Sequence, residues 1–154
     1  MTPAIDALRA ACVEFDIRSY EHDPKSRTYG LEAAEKLDLL PEQVFKTLVV
    51  ELDGAALCMG IIPVVFQLNL KRLAKSAGAK RAAMAPAKAV ERATGYVMGG
   101  VSPFGQKRAM PAFIDTSAMN YLSVFVSGGK RGLDLEITPN DLLIITKGCT
   151  ADLT

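Results

Sequence analysis

A hairpin signal near the middle of the chain sets the strongest limit on the fold. Asp53-Gly54 lies between two apolar segments, residues 45–51 and 56–62. An Asp-Gly pair between such segments is typical of a tight β-turn. The two segments are therefore predicted to pair as antiparallel strands, which argues against a purely parallel sheet.

Helix and strand signals alternate along the rest of the chain. Thr2-Pro3 and Thr138-Pro139 each place a hydroxyl N-cap before a proline at the first helical position, which predicts helices that end near residues 13 and 145. Other helices are predicted over residues 30–37, 70–77 and 86–93, with a helical turn at 41–44. Strands are predicted over residues 15–20, 82–84, 112–115, 122–127 and 133–137. Residues 1–154 are thus predicted to form a single domain of mixed α/β (α+β) class, in which helices surround a curved, largely antiparallel, partly closed sheet.

Composition predicts a cytoplasmic protein without membrane contact. The 154 residues are 49% hydrophobic and 23% charged, which is ordinary for a globular protein. No apolar run approaches the length of a membrane helix, and no secretory signal is visible at the N-terminus. The three cysteines lie far apart with no Cys-x-x-Cys pair, so reduced thiols are expected, with neither a disulfide framework nor a zinc site.

Charge is distributed unevenly along the chain. Residues 69–132 contain 11 basic and two acidic side chains, a net charge of +9 within a chain whose overall charge is +1. Such a block favours a polyanionic partner, most often nucleic acid. For the basic residues of the 70–77 helix alone, a solvated helix face is the more common explanation. The bias continues through Lys107-Arg108 and Lys130-Arg131, which favours an RNA partner whose phosphates position it.

Two glycine clusters and one lysine allow two interpretations each. Residues 95–105 and 127–132 hold seven of the 12 glycines; these stretches form either tight turns or a floor on which a ligand approaches the backbone closely. Lys46 near the start of an apolar strand either blocks edge-to-edge pairing or places a cation at the mouth of a pocket. Taken by itself, Lys46 favours the first role.

Several familiar catalytic motifs are absent. The chain has no Gly-x-x-x-x-Gly-Lys-[Ser/Thr] phosphate loop, no Gly-x-Ser-x-Gly elbow and no His-Glu-x-x-His zinc motif. His22, the single histidine, lies in a polar loop and is not predicted to be catalytic. An enzyme with this sequence would depend on backbone donors, hydroxyls and one or two charged groups. That chemistry suits an ester or acyl substrate with a reactive group of its own, with no cofactor and no metal.

A set of collinear motifs makes the chain resemble a known family. The motifs are Met1-Thr-Pro-Ala-Ile5, Tyr20-Glu-His-Asp-Pro24, Phe45-Lys-Thr-Leu48, Leu68-Asn-Leu-Lys71, Thr94-Gly-Tyr96, Gly99-Gly-Val-Ser-Pro103, Gly105-Gln-Lys107 and Val126-Ser-Gly-Gly-Lys-Arg-Gly132. In this order they resemble the YbaK/ProX (EbsC) family of bacterial Cys-tRNA(Pro) deacylases, relatives of the editing domain of bacterial prolyl-tRNA synthetase. The resemblance covers residues 1 to about 145.

The resemblance implies hydrolytic proofreading in translation. Members of the family clear cysteine mischarged onto tRNA(Pro), and they also accept Cys-tRNA(Cys). The thiol of the substrate cysteine is thought to attack its own ester carbonyl, so no protein nucleophile is needed. The implied partners are the acceptor end of an aminoacyl-tRNA and prolyl-tRNA synthetase. A sister deacylase for Ala- or another mischarged tRNA, and a non-catalytic tRNA- or nucleotide-binding regulator, are the alternatives.

The resemblance also implies a set of site residues. Lys46 is matched to the essential lysine of the family, and Gly99 and Gly100 to close-approach backbone that can supply an amide to an oxyanion. These three are the expected catalytic residues. The residues expected to bind the substrate are Tyr20, Tyr29, Thr47, Ser127, Gly128, Gly129, Lys130, Arg131 and Asp134.

Overall fold

The computed structural model describes residues 1–154 and contains five α-helices and eight β-strands. The helices are α1 (Pro3–Ala10), α2 (Tyr29–Lys36), α3 (Leu70–Ala77), α4 (Ala87–Thr94) and α5 (Pro139–Thr146). The strands are β1 (Asp16–Ser19), β2 (Phe45–Leu52), β3 (Ala56–Pro63), β4 (Ala82–Met84), β5 (Ala112–Asp115), β6 (Val124–Lys130), β7 (Leu133–Ile137) and β8 (Cys149–Ala151). Two short 3₁₀ helices span Pro41–Gln43 and Thr116–Asn120.

The ends of the helices follow the capping residues in the sequence. The side chains of Thr2, Asn69 and Thr138 each accept a hydrogen bond from a backbone N–H in the first turn of the helix that they cap. Gly78 and Gly95 end α3 and α4 in the left-handed conformation, with φ of 72° and 83°. Each α-helix has eight residues, whereas a helix that crosses a bilayer needs about 20.

The strands form two sheets that adjoin at one edge. One sheet has five strands in the order β4-β2-β3-β5-β8, in which β3–β5 and β5–β8 are parallel and the other pairs are antiparallel. The other sheet is antiparallel, in the order β1-β7-β6. A parallel bridge from Val44 to Phe125 joins the two. The prediction of a mixed α/β fold with a largely antiparallel, partly closed sheet is confirmed.

The largest part of the core lies between the two sheets. There, Val49 and Ile61 of the five-stranded sheet pack in one apolar cluster with Leu135 of the three-stranded sheet and with Ile5 and Leu8 of α1. On the outer face of the five-stranded sheet, α3 covers a smaller cluster that includes Cys58. Because β2 contributes to both clusters and its first residues adjoin β6, the start of β2 is the point where the two sheets meet.

Local details differ from the sequence-based predictions in four places. The hairpin loop has three residues, because Leu52 pairs with Ala56 and leaves residues 53–55 unpaired. Every residue of β1 is exposed although a half-buried strand is predicted there, since this strand lies at a sheet edge and pairs with β7 alone. Strand β8 was not predicted, and β6 begins two residues later than predicted, after a 3₁₀ helix.

Candidate active site

A cavity of about 360 Å³ opens where the two sheets meet. Five parts of the chain surround it: the end of β1, the start of α2, the first residues of β2, the turn at residues 97–100 and the β6–β7 pair. Its lining residues are Tyr20, Arg27, Thr28, Tyr29, Gly30, Leu31, Val44, Phe45, Lys46, Thr47, Leu48, Val64, Met98, Gly99, Val101, Ser127 and Asp134. Seven of the 12 residues expected from the sequence are among them.

Lys46 supplies a cation to the cavity. It is the second residue of β2, opposite Ile62 of β3, and its side chain is half-buried. The amine forms no ion pair and no hydrogen bond within the protein, and burial lowers its pKa. At this end β2 pairs with β3 on one side and adjoins β6 on the other, while β4 pairs only with residues 50–52. Lys46 therefore does not protect a free edge, and its charge is available to a ligand in the cavity.

Three polar residues from the smaller sheet form another part of the lining. Ser127 of β6 and Asp134 of β7 are direct cross-strand partners, and Tyr20 follows β1, where its N–H donates to the carbonyl of Gly132 at 3.0 Å. Burial raises the pKa of the Asp134 carboxyl to about 7. Burial and the nearby charge of Asp134 raise the pKa of Tyr20 to about 12, so its hydroxyl is a neutral donor.

Thr47 lines the same cavity and has a buried hydroxyl without a partner. The residue is 8% exposed, and its Oγ1 is the one buried side-chain polar atom in the protein without a hydrogen-bond partner. Buried polar groups in folded proteins are nearly always hydrogen-bonded. The Thr47 hydroxyl is thus an exception that lies in the wall of the cavity.

The first glycine cluster forms a tight turn beside the cavity. The N–H of Gly100 donates to the carbonyl of Val97 at 2.9 Å, and Gly99 takes φ of +85° at the third position of this turn. A Cβ on Gly99 would come within 2.7 Å of the Tyr29 ring. The N–H of Gly99 has no acceptor within the protein, whereas that of Gly100 is used by the turn.

Arg131 connects the turn to the start of α2. Its Nε and Nη2 donate to the carbonyl of Met98 at 3.0 and 2.6 Å. Its guanidinium also lies over the Tyr29 ring, 4.5 Å from the centroid, a favourable cation–π arrangement. The side chain thus fixes two walls of the cavity to the loop between β6 and β7, although it does not line the cavity itself.

The second glycine cluster forms a β-bulge. The β6–β7 register shifts between Ser127 and Lys130, so the two glycines between them have no partners on β7. A Cβ on Gly128 would approach the Leu133 side chain to 2.7 Å, and one on Gly129 would approach Tyr96 to 2.9 Å. Five of the expected residues lie outside the cavity lining: Gly100, Gly128, Gly129, Lys130 and Arg131.

His22 lies beside the cavity and takes part in a hydrogen-bond network that holds the adjacent loop. Its Nδ1 lies 2.6 Å from Oε1 of Glu32, while Oε2 of Glu32 accepts a hydrogen bond from the N–H of Asp23 at 2.8 Å and lies 3.4 Å from the Lys36 amine. Burial raises the pKa of Glu32, but these hydrogen bonds outweigh it and hold the pKa below its usual value. The network attaches the loop after Tyr20 to α2, whose first residue is Tyr29.

Sequence reasoning missed the apolar part of the lining and one cation. Leu31, Val64 and Met98 are separate in sequence and carry no motif, so that only the fold could identify them. Arg27 is exposed at the cavity and bonds to its own loop through the carbonyls of Pro24 and Ser26. No three His, Cys, Asp or Glu side chains lie close enough together to hold a metal ion.

Comparison with solved structures defines the class of fold. The chain superposes with a TM-score of 0.84 and 24% identity on a protein assigned as a trans-editing enzyme for prolyl-tRNA synthetase. The match covers 99% of this chain and 94% of the other. The two chains therefore share one fold.

Comparison of sequences identifies the family. Residues 23–145 match the model of the aminoacyl-tRNA editing domain. The chain is 38% identical over 121 residues to EbsC of Enterococcus faecalis, a protein assigned as a Cys-tRNA(Pro)/Cys-tRNA(Cys) deacylase, with 79% of this chain and 74% of EbsC covered. It is 26% identical over 111 residues to YwhH of Bacillus subtilis, with 72% and 70% covered. The chain belongs to the aminoacyl-tRNA editing domain family.

Proposed function

We propose that this protein is a trans-editing deacylase that clears mischarged Cys-tRNA(Pro), and also Cys-tRNA(Cys), in the cytoplasm. The observation that carries the proposal is the cavity itself, which brings together the unpaired Lys46 amine and the Gly99 turn in a chain of the aminoacyl-tRNA editing domain family. The assignment of the relative EbsC supports cysteine as the aminoacyl group. The proposal takes residues 1–154 as one editing domain that acts alongside prolyl-tRNA synthetase.

The reaction needs no nucleophile from the protein. The substrate thiol loses its proton, and its sulfur forms a bond to the ester carbonyl carbon. The bond from that carbon to the ribose oxygen then breaks. The ribose oxygen takes up a proton and leaves as the tRNA hydroxyl, and the amino acid departs as a cyclic thiolactone. The protein contributes by orienting the ester and by stabilising the charge that develops on the carbonyl oxygen.

The lining residues are suited to orienting the ester and to stabilising the developing negative charge. The Lys46 cation is suited to a phosphate or to the ester oxygens of the acceptor end, since no carboxylate of the protein neutralises it. The free N–H of Gly99 is a donor for the carbonyl oxygen, and loss of one such donor typically costs about 2.7–4 kcal/mol. The Tyr20 and Tyr29 rings can pack against the terminal base, an interaction of about 1–3 kcal/mol.

The proposal is tested by comparing the deacylation of Cys-, Ala- and Ser-tRNA(Pro). Cysteine is expected to be removed far faster than serine, because a hydroxyl is a much poorer nucleophile than a partly ionised thiol. Equal rates for cysteine and serine would refute thiol-assisted cleavage, and a preference for alanine would indicate a sister activity. Lys46→Ala should abolish deacylation while the far-UV circular dichroism spectrum is retained. Lys25→Ala, at an exposed position outside the cavity, is the matched control.

A further inference from the structure

Asp134 is a buried carboxyl group that faces the cavity and has no partner in the protein. The residue is 7% exposed, and its side chain takes part in no ion pair and no hydrogen bond. Arg18 lies opposite Asp134 on β1, but its guanidinium donates to Glu136 at 2.7 Å instead. A buried carboxylate without a compensating contact is costly to a fold. Asp134 therefore gives the ligand-free protein no stability beyond what an apolar residue at the same position would give.

Lys46 does not neutralise Asp134 either. Both side chains line the same cavity, yet they form no ion pair, and burial alone shifts the pKa of each. The cavity therefore offers a cation at one position and a carboxyl at another. A ligand that pairs with both side chains needs a cationic group for Asp134 and, close to it, electron-rich oxygens for Lys46.

The end of an aminoacyl-tRNA has this distribution of charge. Its α-ammonium group lies one carbon away from the ester carbonyl, and the ester oxygen leads to the ribose and the phosphate. An ammonium group has three N–H donors and no acceptor, which suits a carboxylate. An N-acylated or peptidyl ester has an uncharged amide in place of the ammonium group, so it would leave the Asp134 charge without a partner.

We propose that Asp134 binds the α-ammonium group of the substrate and restricts the site to aminoacyl esters with a free amino group. This inference rests on the deacylase function proposed above and extends it. It predicts that N-acylated aminoacyl-tRNA and peptidyl-tRNA are poor substrates even when the ester and the side chain are unchanged. These substrates are disfavoured because they lack the positive charge, and a site that binds a charged donor rejects a ligand without that donor.

The kinetic test compares Cys-tRNA(Pro) with N-acetyl-Cys-tRNA(Pro) in single-turnover deacylation. The wild-type protein should cleave the acetylated substrate about 10- to 150-fold more slowly, the range expected for a hydrogen bond to a charged group. In Asp134→Asn, cleavage of the free-amine substrate should slow by a similar factor, while the acetylated substrate is unaffected. Asp16→Asn, at an exposed position on the neighbouring strand β1, should behave as wild type.

A binding measurement separates this inference from the proposed reaction. The probes are 3′-cysteinylamido-3′-deoxyadenosine, whose amide replaces the ester, and its N-acetyl derivative. The wild-type protein should bind the free-amine probe more tightly by the same factor, and Asp134→Asn should lose that preference. If the probes bind in this way but the protein deacylates no substrate, the proposed reaction is wrong and the proposed role of Asp134 still holds. Equal binding of the two probes, no binding of either, or an unchanged preference in Asp134→Asn would overturn the inference.

Discussion

Replacement of Asp134 with asparagine is expected to stabilise the protein at neutral and alkaline pH. Burial raises the pKa of this carboxyl from 3.8 to about 7. Because one pKa unit corresponds to about 1.4 kcal/mol, ionisation of Asp134 destabilises the folded state by about 4 kcal/mol relative to the unfolded chain. Relaxation of the cavity reduces this figure, so it is an upper bound.

The stabilisation should depend on pH in a defined direction. Between pH 3.8 and about 7, the folded protein retains a proton on Asp134 that the unfolded chain has released. The contribution of this residue to the free energy of unfolding therefore falls as the pH rises through that window. Asparagine carries no charge at any pH. The charged neighbours Arg18 and Lys46 and the neutral Tyr20 are present in both proteins, so their own contributions largely cancel in the difference.

Urea unfolding of the two proteins at pH values from about 4 to about 9 measures this difference. The free energy of unfolding should be nearly equal at the acid end, and Asp134→Asn should gain up to about 4 kcal/mol at the alkaline end. Asp16→Asn provides the control, because that carboxyl is exposed. A difference that is constant with pH, or a loss of stability throughout, would show that Asp134 has a favourable partner within the fold and would refute the reasoning.

Three further changes test other parts of the protein. Gly105→Ala should destabilise the protein by at least about 3 kcal/mol, because its φ is +66° and a Cβ would overlap the Pro3 carbonyl. Gly54→Ala, where φ is +73° but nothing lies within 4 Å, should cost only about 1 kcal/mol; equal losses in urea unfolding would contradict this. Arg131→Lys should lower kcat/KM about tenfold by loosening the contacts with Met98 and Tyr29, whereas Arg108→Lys should not, and a wild-type rate would show that these contacts are dispensable. Alanine at Lys71, Arg72 and Lys75 together, all exposed on α3, should weaken tRNA binding and reduce its salt dependence by about 0.7–0.9 in log–log slope per lost phosphate contact; an unchanged slope would identify a solvated helix face.

Much of the fold could be predicted because the controlling interactions are local. Thr2, Asn69 and Thr138 cap helices through N–H groups only three residues away. Gly78 and Gly95 end helices because they adopt left-handed φ without a steric penalty. The hairpin follows from one turn and two apolar segments. Strand β8 is not predicted, because it is defined by its pairing with β5 and no local pattern in residues 149–151 indicates that pairing.

The glycine clusters show where local reasoning ends. Sequence alone left each of them as a turn or a binding floor. In the structure, residues 97–100 form a turn, and Gly99 of this turn also lines the cavity. Its role as a floor for a bound ligand stays a prediction. Gly128 and Gly129 form a bulge that packs on Leu133 and Tyr96. The arrangement of each cluster depends on which distant side chain packs against its glycines, in the space that a Cβ would occupy. No local sequence pattern contains that information.

The sequence by itself determined the helices, the hairpin, the family and the residue types available for chemistry. These follow from hydrogen bonds and steric limits within a few residues, and from motifs in fixed order. Only the tertiary structure decided that Lys46 and Asp134 share one cavity without pairing, and that Arg131 is bonded to Met98. Whether a charged group is paired depends on strand register and on the packing of residues far apart in the chain. Periodicity places Asp134 on the side of β7 opposite the leucines, but it cannot show that this side is buried in a cavity.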